Sequence, residues 1–204
     1  MKRIGLLFLA GLLLVSFTAC DMGNGEQEKR EANLQKAKLE EQKQKGKDAA
    51  GAAIEFLNNL TELRWDEACA MAETELETRM PGINSPDWGV TDESLALYEE
   101  ILRVCMQNGK NVVADKENVR FSDGQCVVRC EVSAPKLQTF MDIIASNGWK
   151  TPEEAEINTE VILSAPRETV YVTLLLTEEK EQDGLTAWKV CAESDISALG
   201  VIFN

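Results

Sequence analysis

Cysteine is the residue type in this sequence with the widest choice of chemistry, because a thiol can form a disulfide, bind a metal or act as a nucleophile. Five cysteines follow Cys20: Cys69, Cys105, Cys126, Cys130 and Cys191. Cys126 and Cys130 are four residues apart in an alternating stretch, so one extended strand would separate them by roughly 13 Å. Bridged cysteines need Cα atoms about 4.4–6.8 Å apart, so these two cannot bond each other.

Two interpretations of these five cysteines stay open. An exported protein can form disulfides, and Cys126 and Cys130 share one strand face from which they could meet Cys69 and Cys105 on the helices. An odd number of cysteines leaves at least one thiol outside any bridge. The alternative is that all five are small buried hydrophobic residues.

The absence of histidine narrows the chemistry further. Without histidine the chain has no Ser-His-Asp or Cys-His catalysis and none of the common histidine-containing zinc and iron sites. Cys-x₃-Cys on a strand lacks both the spacing and the turn of a zinc knuckle. A thiol nucleophile would also lack a histidine partner to activate it. We therefore expect no metal, no cofactor and no catalytic residue.

The four tryptophans fall into two groups by their surroundings in the sequence. Trp65 and Trp188 fit apolar positions of predicted helix and strand patterns. Trp88 and Trp149 lie in polar loops, where a tryptophan either packs into the core or lines a ligand mouth or partner surface. Core packing is the preferred interpretation for both.

The first twenty residues have the order of a secretory signal. Lys2 and Arg3 precede an uncharged apolar stretch, and Phe17-Thr18-Ala19 leads into Cys20. The stretch is shorter than the roughly 20 residues that a membrane-spanning helix needs, so a cleaved signal is predicted. It resembles a bacterial lipoprotein signal, which implies removal of residues 1–19 and a diacylglycerol thioether on Cys20. The alternative is an ordinary secretory signal that happens to precede a cysteine.

The charge balance restricts the partners. Lys2 and Arg3 are lost with the signal and no acidic residue is, so 19 basic and 35 acidic residues give the mature chain a formal net charge of −16. Such a surface repels nucleic acid and anionic lipid head groups. The glutamates that occur close together are interpreted as solvated faces and turns rather than acid/base pairs. They are Glu73, Glu75, Glu77, Glu178, Glu179 and Glu181.

Residues 20–47 are predicted to be a lipid-anchored polar tether. Residues 21–47 carry 7 basic and 6 acidic residues and almost nothing apolar, so they cannot form a core face. Their Glu, Lys, Gln and Ala content favours partial helix formation. Leu34 and Leu39 make too thin an apolar stripe to indicate a partner-binding helix.

Residues 48–204 are predicted to form one domain that begins with three helices. Apolar residues at helical spacing indicate a helix from Ala49 to Leu63 and a second, capped by Asp66, that buries Cys69. Residues 81–89 are predicted to be a loop. Thr91 then caps a third helix that ends at Asn108-Gly109.

Strand patterns with a helical insertion follow. Residues 112–121 and 125–133 are predicted to pair as a hairpin, with Cys126, Val128, Cys130 and Val132 on one face and Val127, Arg129 and Glu131 on the other. Two helices span 135–164, the second starting at a capping box. Residues 170–176 and 188–192 form the last hairpin around an Asp183-Gly184 turn, and residues 196–203 pack back on the domain. The fold class is therefore α+β, with N-terminal helices packed on a curved antiparallel sheet.

This arrangement resembles the nuclear-transport-factor-2-like (cystatin-like) cone fold. The likeness is carried by Phe56-Leu57-Asn58-Asn59-Leu60, by Trp65-Asp66-Glu67-Ala68 and by the ending Asp183-Gly184-Leu185-Thr186-Ala187-Trp188-Lys189-Val190. In particular, the chain is similar to tethered bacterial lipoproteins with this domain. The resemblance implies helices packed across a strongly curved sheet. Enzymes of the superfamily use acidic and His or Tyr side chains in the cone, and none of their constellations matches here.

Three functional hypotheses follow from the sequence. The first is a membrane-anchored, extracytoplasmic lipoprotein whose non-catalytic domain binds an envelope protein or a small ligand. The second is a hydrolase or isomerase that uses carboxylates inside the cone, which would need ionisable side chains facing inward. The third is a structural homodimer of the cell envelope, because sheets of the superfamily often pair.

Overall fold

The structure, a computed structural model, describes residues 24–73, 92–122, 124–180 and 186–203. Side chains are described from residue 29 in the first of these ranges and from residue 96 in the second. Several predicted features lie outside the described residues: the signal with Cys20, the loop of residues 81–89 with Trp88, the cap at Thr91, and the turn at residues 183–184.

Helix α1, Asn24–Thr61, is the longest element. Contacts divide the chain into two compact units, residues 1–40 and residues 41–204. In the first unit the described residues are helical, and Leu34 and Leu39 are both more than half exposed. The helix continues past residue 47 without a break, so no change of secondary structure marks the predicted domain boundary. No helix among the described residues combines the length and the apolar character needed to cross a membrane.

In the second unit, α1 packs one apolar face against the sheet. The fully buried members of this face are Ala49, Ala50, Ala53, Phe56, Leu57 and Leu60. Their steps of one, three and four residues place them on one side of a helix, as predicted. Burial of each large side chain contributes about 1.5–3 kcal/mol, so this face supplies much of the stability of the domain.

The C-terminus of α1 differs from the prediction because the helix ends at Thr61, before Leu63. The Leu63 N–H donates to the Leu60 carbonyl (3.2 Å), and the Arg64 N–H donates to the Asn59 carbonyl (2.9 Å). These two bonds form a Schellman motif, whose left-handed residue is usually glycine. Here Leu63 takes that conformation, with φ 58°.

Helix α2, Trp65–Ala70, is shorter than predicted. Its N-cap is Arg64, so the prediction of Asp66 as the cap is wrong. Cys69 is exposed, so its predicted place in a buried stripe is also wrong. After the helix ends, Ala72 forms a parallel bridge with strand residue Val190 and extends the sheet instead.

Helix α3, Asp92–Gly109, confirms the predicted third helix. Its described apolar face buries Ile101, Leu102 and Cys105. The Arg167 guanidinium donates from Nη2 to the Gly109 carbonyl and so satisfies an otherwise orphaned acceptor at the helix end.

The described residues contain one antiparallel sheet, strongly curled into a half-barrel, in the order β1-β3-β4-β5. A short strand, β2, also pairs with β3. The strands are β1 Asn111–Ala114, β2 Arg120–Ser122, β3 Gln125–Ala134, β4 Glu168–Lys180 and β5 Thr186–Val190. Since β4 occupies one edge of β3 along its whole length, β1 and β2 lie end to end along the other edge.

The predicted strand over residues 112–121 is wrong in its middle, where β1 and β2 are separated. The polar run Asp115-Lys116-Glu117-Asn118 forms a turn there. The Asn118 N–H donates to Asp115 Oδ1 (3.2 Å) and closes it. Four consecutive polar residues inside an apolar alternation are the sequence signal for such an interruption.

The two faces of the central strands match the prediction. On β3, Cys126, Val128, Cys130 and Val132 are buried, whereas Arg129 is exposed and Val127 and Glu131 are half-buried. The register pairs Cys130 with Val172 on the buried face and Glu131 with Tyr171 on the other. One face of the sheet therefore belongs to the core, and we call the opposite one the outward face.

Three helices fill the predicted insertion between β3 and β4. They are α4 Leu137–Asn147, α5 Pro152–Ile157 and α6 Thr159–Leu163. Gly148, with φ 67°, closes α4 in the left-handed conformation that favours glycine. The capping box of Thr151 and Glu154 is confirmed. The single predicted helix beyond it is two helices, because Asn158 leaves helical geometry.

The last strand is shorter than the predicted alternation. It ends at Val190, after which Cys191 is buried and Ala192 is exposed. Ser194 replaces strand pairing there: its hydroxyl accepts from the Leu175 N–H (2.9 Å) and lies 3.1 Å from the Leu175 carbonyl oxygen. The chain then forms a 3₁₀ turn, Ser197–Leu199, and helix α7, Gly200–Phe203.

The buried residues form two hydrophobic clusters. The first joins α1 to the inner face of the sheet and includes Ile196, Leu199 and Ile202, which confirms that the C-terminal segment packs back on the domain. The second joins α3 to α4, α5 and α6 around Phe140. Phe203 packs against both clusters and links them. The α+β class with a helical insertion is thus confirmed.

Gly109, the last residue of α3, lies in close contact with the insertion helices. A Cβ at this position would lie 2.7 Å from two ring carbons of Phe140 and 3.0 Å from Ile162 Cγ2. Gly109→Ala should therefore lower the free energy of unfolding by about 1–3 kcal/mol, as overpacking does. Denaturant unfolding measures the change.

Gly51→Ala is the matched control, because a Cβ on this exposed α1 residue meets nothing within 4 Å. Its expected effect is a gain of roughly 0.5–1 kcal/mol from helix propensity. Equal stability of the two variants would contradict the packing at Gly109.

Candidate functional site

A cavity with a volume of about 920 Å³ is formed by residues 113–117, 129–131 and 171–173. We call it the outer groove. Its exposed or half-buried lining side chains on the strands, such as Arg129, Glu131 and Tyr171, all belong to the outward face of the sheet. The groove therefore lies on the side of the sheet that α1 does not cover.

A cross-strand row forms the floor of the outer groove. Val113, Glu131 and Tyr171 lie side by side on β1, β3 and β4. Tyr171 is 72% exposed and Val113 is 50% exposed. An exposed tyrosine offers both an aromatic face and a hydroxyl for contact with a partner. The neighbouring row adds Arg129, which pairs with Thr173.

The turn at the end of β1 forms a fixed rim. The Asp115 N–H donates to the Arg129 carbonyl (2.9 Å), and both carboxylate oxygens of Asp115 accept from the Asn118 side chain. The hydrogen bonds that Asn118 donates to the carboxylate, with a smaller contribution from the charge of Arg129, hold the pKa of Asp115 below its ordinary value. Asp115 is therefore an ionised structural group at neutral pH rather than a proton donor.

The lining of the outer groove carries charges of both signs. Lys116 and Arg129 are basic, and Asp115, Glu117 and Glu131 are acidic. A groove with this pattern favours a partner that itself carries both charges, because each sign then meets its opposite. The outer groove can hold and orient such a partner.

The middle of the opposite face is apolar, whereas Glu178 near the end of β4 pairs with Lys45 of α1 (2.9 Å). Val128, Val132 and Leu174 are fully buried there against the apolar face of α1. The position that a catalytic cone would use for inward carboxylates is thus filled by hydrocarbon in the described residues. This packing disfavours proton-transfer chemistry at that face.

The predicted disulfide residues are distributed over different parts of the fold. Cys126 and Cys130 belong to the first core cluster and Cys105 to the second, whereas Cys69 is on the surface. None of the five described cysteines forms a disulfide. The structure therefore matches the alternative interpretation for Cys105, Cys126 and Cys130, which are buried in the hydrophobic clusters, whereas Cys191 is buried beside polar side chains.

Burial also controls the reactivity of these thiols. It raises the pKa of Cys126 to about 11 and the pKa of Cys105 and Cys130 to about 12. Their thiols stay protonated at neutral pH, and a protonated thiol is a poor nucleophile and metal ligand.

A cluster of three possible metal donors was not predicted from the sequence. Atoms of Glu73, Cys191 and Glu193 lie within 4.8 Å of one another. Thr177 donates to Glu73 (2.5 Å), and the Gln125 amide lies 3.5 Å from the Cys191 sulfur. The long separation along the chain explains why spacing gave no signal. Burial raises the pKa of Cys191, so metal binding here would have to displace a tightly held proton.

The other predicted positions are placed as follows. Trp149 is 9% exposed and packs in the second cluster, so it is a core residue and not a ligand-mouth residue. Trp65 and Trp188 are partly buried against the first cluster. Glu178 is not simply solvated, because it forms an ion pair with Lys45 (2.9 Å) that raises the lysine pKa. Glu75, Glu77 and Glu181 lie outside the described residues.

Sequence reasoning missed the residues of the outer groove. The alternation on β4 places Tyr171 on the outward face, and that was a usable signal for an exposed aromatic. The turn at Asp115 had a signal in its polar run. Arg129 lies beside these residues because of the register between the strands, and the sequence does not specify that register by itself.

Comparison with known proteins gave no further identification: no protein-family model, no curated protein and no solved structure matches this chain. The resemblance to the cone fold therefore stays a prediction.

Exposure and pKa together predict which thiols react. In the native protein at neutral pH, an alkylating reagent should modify Cys69 and leave Cys105, Cys126 and Cys130 unmodified until the chain unfolds. Peptide mass spectrometry after a timed reaction measures this order. In Cys69→Ser the rapidly modified peptide should no longer be found, because its only exposed thiol is gone.

The contrary result would be a disulfide-linked pair of peptides, or modification of Cys126 as fast as that of Cys69. Either would favour the bridged arrangement over the buried thiols.

Proposed function

We propose that this protein is a lipid-anchored envelope protein whose α+β domain binds a partner through the outer groove without catalysing a reaction. Residues 1–19 serve as the signal, Cys20 carries the lipid, and residues 20–47 form the polar tether. The observation that carries the binding function is the position of the groove. It is open on the outward face and lined by an exposed tyrosine and five charged residues.

The packing of the inner face supports binding over catalysis. A carboxylate enzyme of the cone type needs ionisable side chains that converge inside the sheet. The described inner face instead buries Val128, Val132 and Leu174 against α1. In the groove itself, the lowered pKa of Asp115 suits an anchor for the rim better than an acid or a base.

The chemistry of the groove favours a polypeptide segment of another envelope protein as the partner. Its volume of about 920 Å³ lies near the upper end of ordinary ligand sites. The charges of both signs on the rim complement a segment that also carries both, and Tyr171 and Val113 offer apolar contact. The strong negative charge of the mature chain disfavours nucleic acid.

The anchor is tested with Cys20→Ser. In the wild-type chain, loss of residues 1–19 and addition of lipid to Cys20 should both appear in the intact mass, and the protein should fractionate with membranes. Cys20→Ser should lack the lipid and lose stable membrane association. Cys69→Ser, which changes an exposed cysteine of the domain, is the control and should behave as wild type. A wild-type mass without lipid would reject the anchor.

The groove is tested by placing a photoreactive phenylalanine analogue at position 171 in cells that make the lipidated protein. A discrete crosslinked product is expected, and Arg129→Ala should reduce its yield because one charge of the rim is lost. The same analogue at Ile157 is the matched control, since this residue is 80% exposed on α5 and does not line the groove. Equal products from both positions would contradict a specific groove. A product of twice the chain mass would identify a homodimer instead.

A further inference from the structure

A second cavity lies away from the outer groove, where the turn between α1 and α2 faces α3. Its volume is about 570 Å³. We call it the arginine pocket, because Arg64 and Arg103 both line it. The other lining residues are Leu63, Trp65, Asp66 and Glu67.

Arg103 is half-buried and lacks a counter-ion in the described part of the chain. Its Nε is buried and has no hydrogen-bond partner among the residues that the structure describes. Native proteins leave few buried donors unsatisfied, so each such group needs an explanation. An arginine normally meets this need with a carboxylate or phosphate, which its planar fork binds through two parallel hydrogen bonds.

Arg64 also lines the pocket. Its Nη2 pairs with Glu62 (2.7 Å), whereas its Nε is buried and has no hydrogen-bond partner among the described residues. The other oxygen of Glu62 binds Lys110, whose side chain is 8% exposed. Arg64 and Lys110 therefore share the Glu62 carboxylate, and none of the described ion pairs includes Arg103.

The backbone holds this arrangement under strain. Leu63 keeps a left-handed conformation, with φ 58°, that usually belongs to glycine. Strained residues of this kind concentrate at ligand sites, where the surrounding structure fixes them. Trp65 adds an aromatic wall, with its ring centroid 6.3 Å from that of Phe203. Asp66 and Glu67 are exposed in the first turn of α2. Because their carboxylates repel anions, a ligand must place its own negative group directly against the guanidinium groups.

We propose that the arginine pocket binds a small ligand through a carboxylate or phosphate group held between Arg64 and Arg103. The guanidinium groups of Arg64 and Arg103, which both line the pocket, recognise the oxyanion. The volume leaves room for an organic portion beside Trp65. This site is independent of the outer groove and of the proposed partner.

The test is a titration of the full chain in detergent with inorganic phosphate and with succinate at constant ionic strength. Trp fluorescence and the midpoint of thermal unfolding report binding. At least one of the two anions should stabilise the wild type in a saturable way. Arg103→Gln should weaken that binding about 10- to 100-fold, the range expected for loss of a charge-assisted hydrogen bond.

Arg120→Gln is the matched control, because this exposed arginine lies on β2 and does not line the pocket. It removes the same charge and should leave the affinity unchanged. Arg103→Lys keeps the charge but loses the fork, so it should bind with intermediate affinity. Partial loss of affinity in Arg103→Lys, together with a larger loss in Arg103→Gln, separates ligand recognition from a purely structural role.

Vesicles distinguish the source of the oxyanion. If the ligand is an anionic lipid head group, Cys20→Ser should bind phosphatidylglycerol vesicles and lose that binding with Arg103→Gln. Zwitterionic phosphatidylcholine, in which the choline ammonium offsets the phosphate charge, should bind much more weakly. If the ligand is soluble, only the dissolved anions should bind. No saturable stabilisation by any of these probes, or an equal loss in Arg103→Gln and Arg120→Gln, would overturn the proposal.

Discussion

The packing of α1 against the curled sheet is the constraint on which the rest of the domain depends. Phe56, Leu57 and Leu60 are completely buried against strand residues such as Val128 and Leu174. Farther along the same face, Glu178 of β4 pairs with Lys45 of α1 (2.9 Å). Apolar burial is the dominant favourable term in folding, and a half-barrel sheet without its helix would expose this entire surface. The same burial fixes the register of β3 and β4, because a slip of one residue would exchange the two faces.

This packing determines where recognition can occur. Because α1 covers the middle of the inner face, Arg129, Glu131 and Tyr171 lie on the outward face, where the Asp115–Asn118 turn forms one rim of the outer groove. A partly buried ionic group lies elsewhere: Glu62, directly after α1, pairs with Lys110 after α3 and with Arg64, which also lines the arginine pocket. The outer groove and the arginine pocket thus lie in different parts of the domain.

Much of the fold follows from the sequence, and much of the candidate site does not. Periodicity predicts the buried face of α1, both faces of β3 and the capping box at Thr151, because these features depend on neighbours along the chain. Leu63 and Cys69 were misplaced because a non-glycine Schellman motif ends α1 early, which local preference disfavours. The groove and the arginine pocket combine residues from distant segments, so only tertiary packing brings Arg129 to Tyr171 or Arg64 to Arg103.

Hydrogen–deuterium exchange tests most directly whether the outward face is the binding surface. The comparison is between the purified lipidated protein in detergent and the same protein in its native membrane vesicles. Partner binding in the outer groove should slow exchange at residues 113–117 and 169–173 in the vesicles, with no change at residues 152–163 on the insertion helices. Identical exchange at the groove in both samples, or protection confined to the insertion helices, would contradict recognition through the outward face.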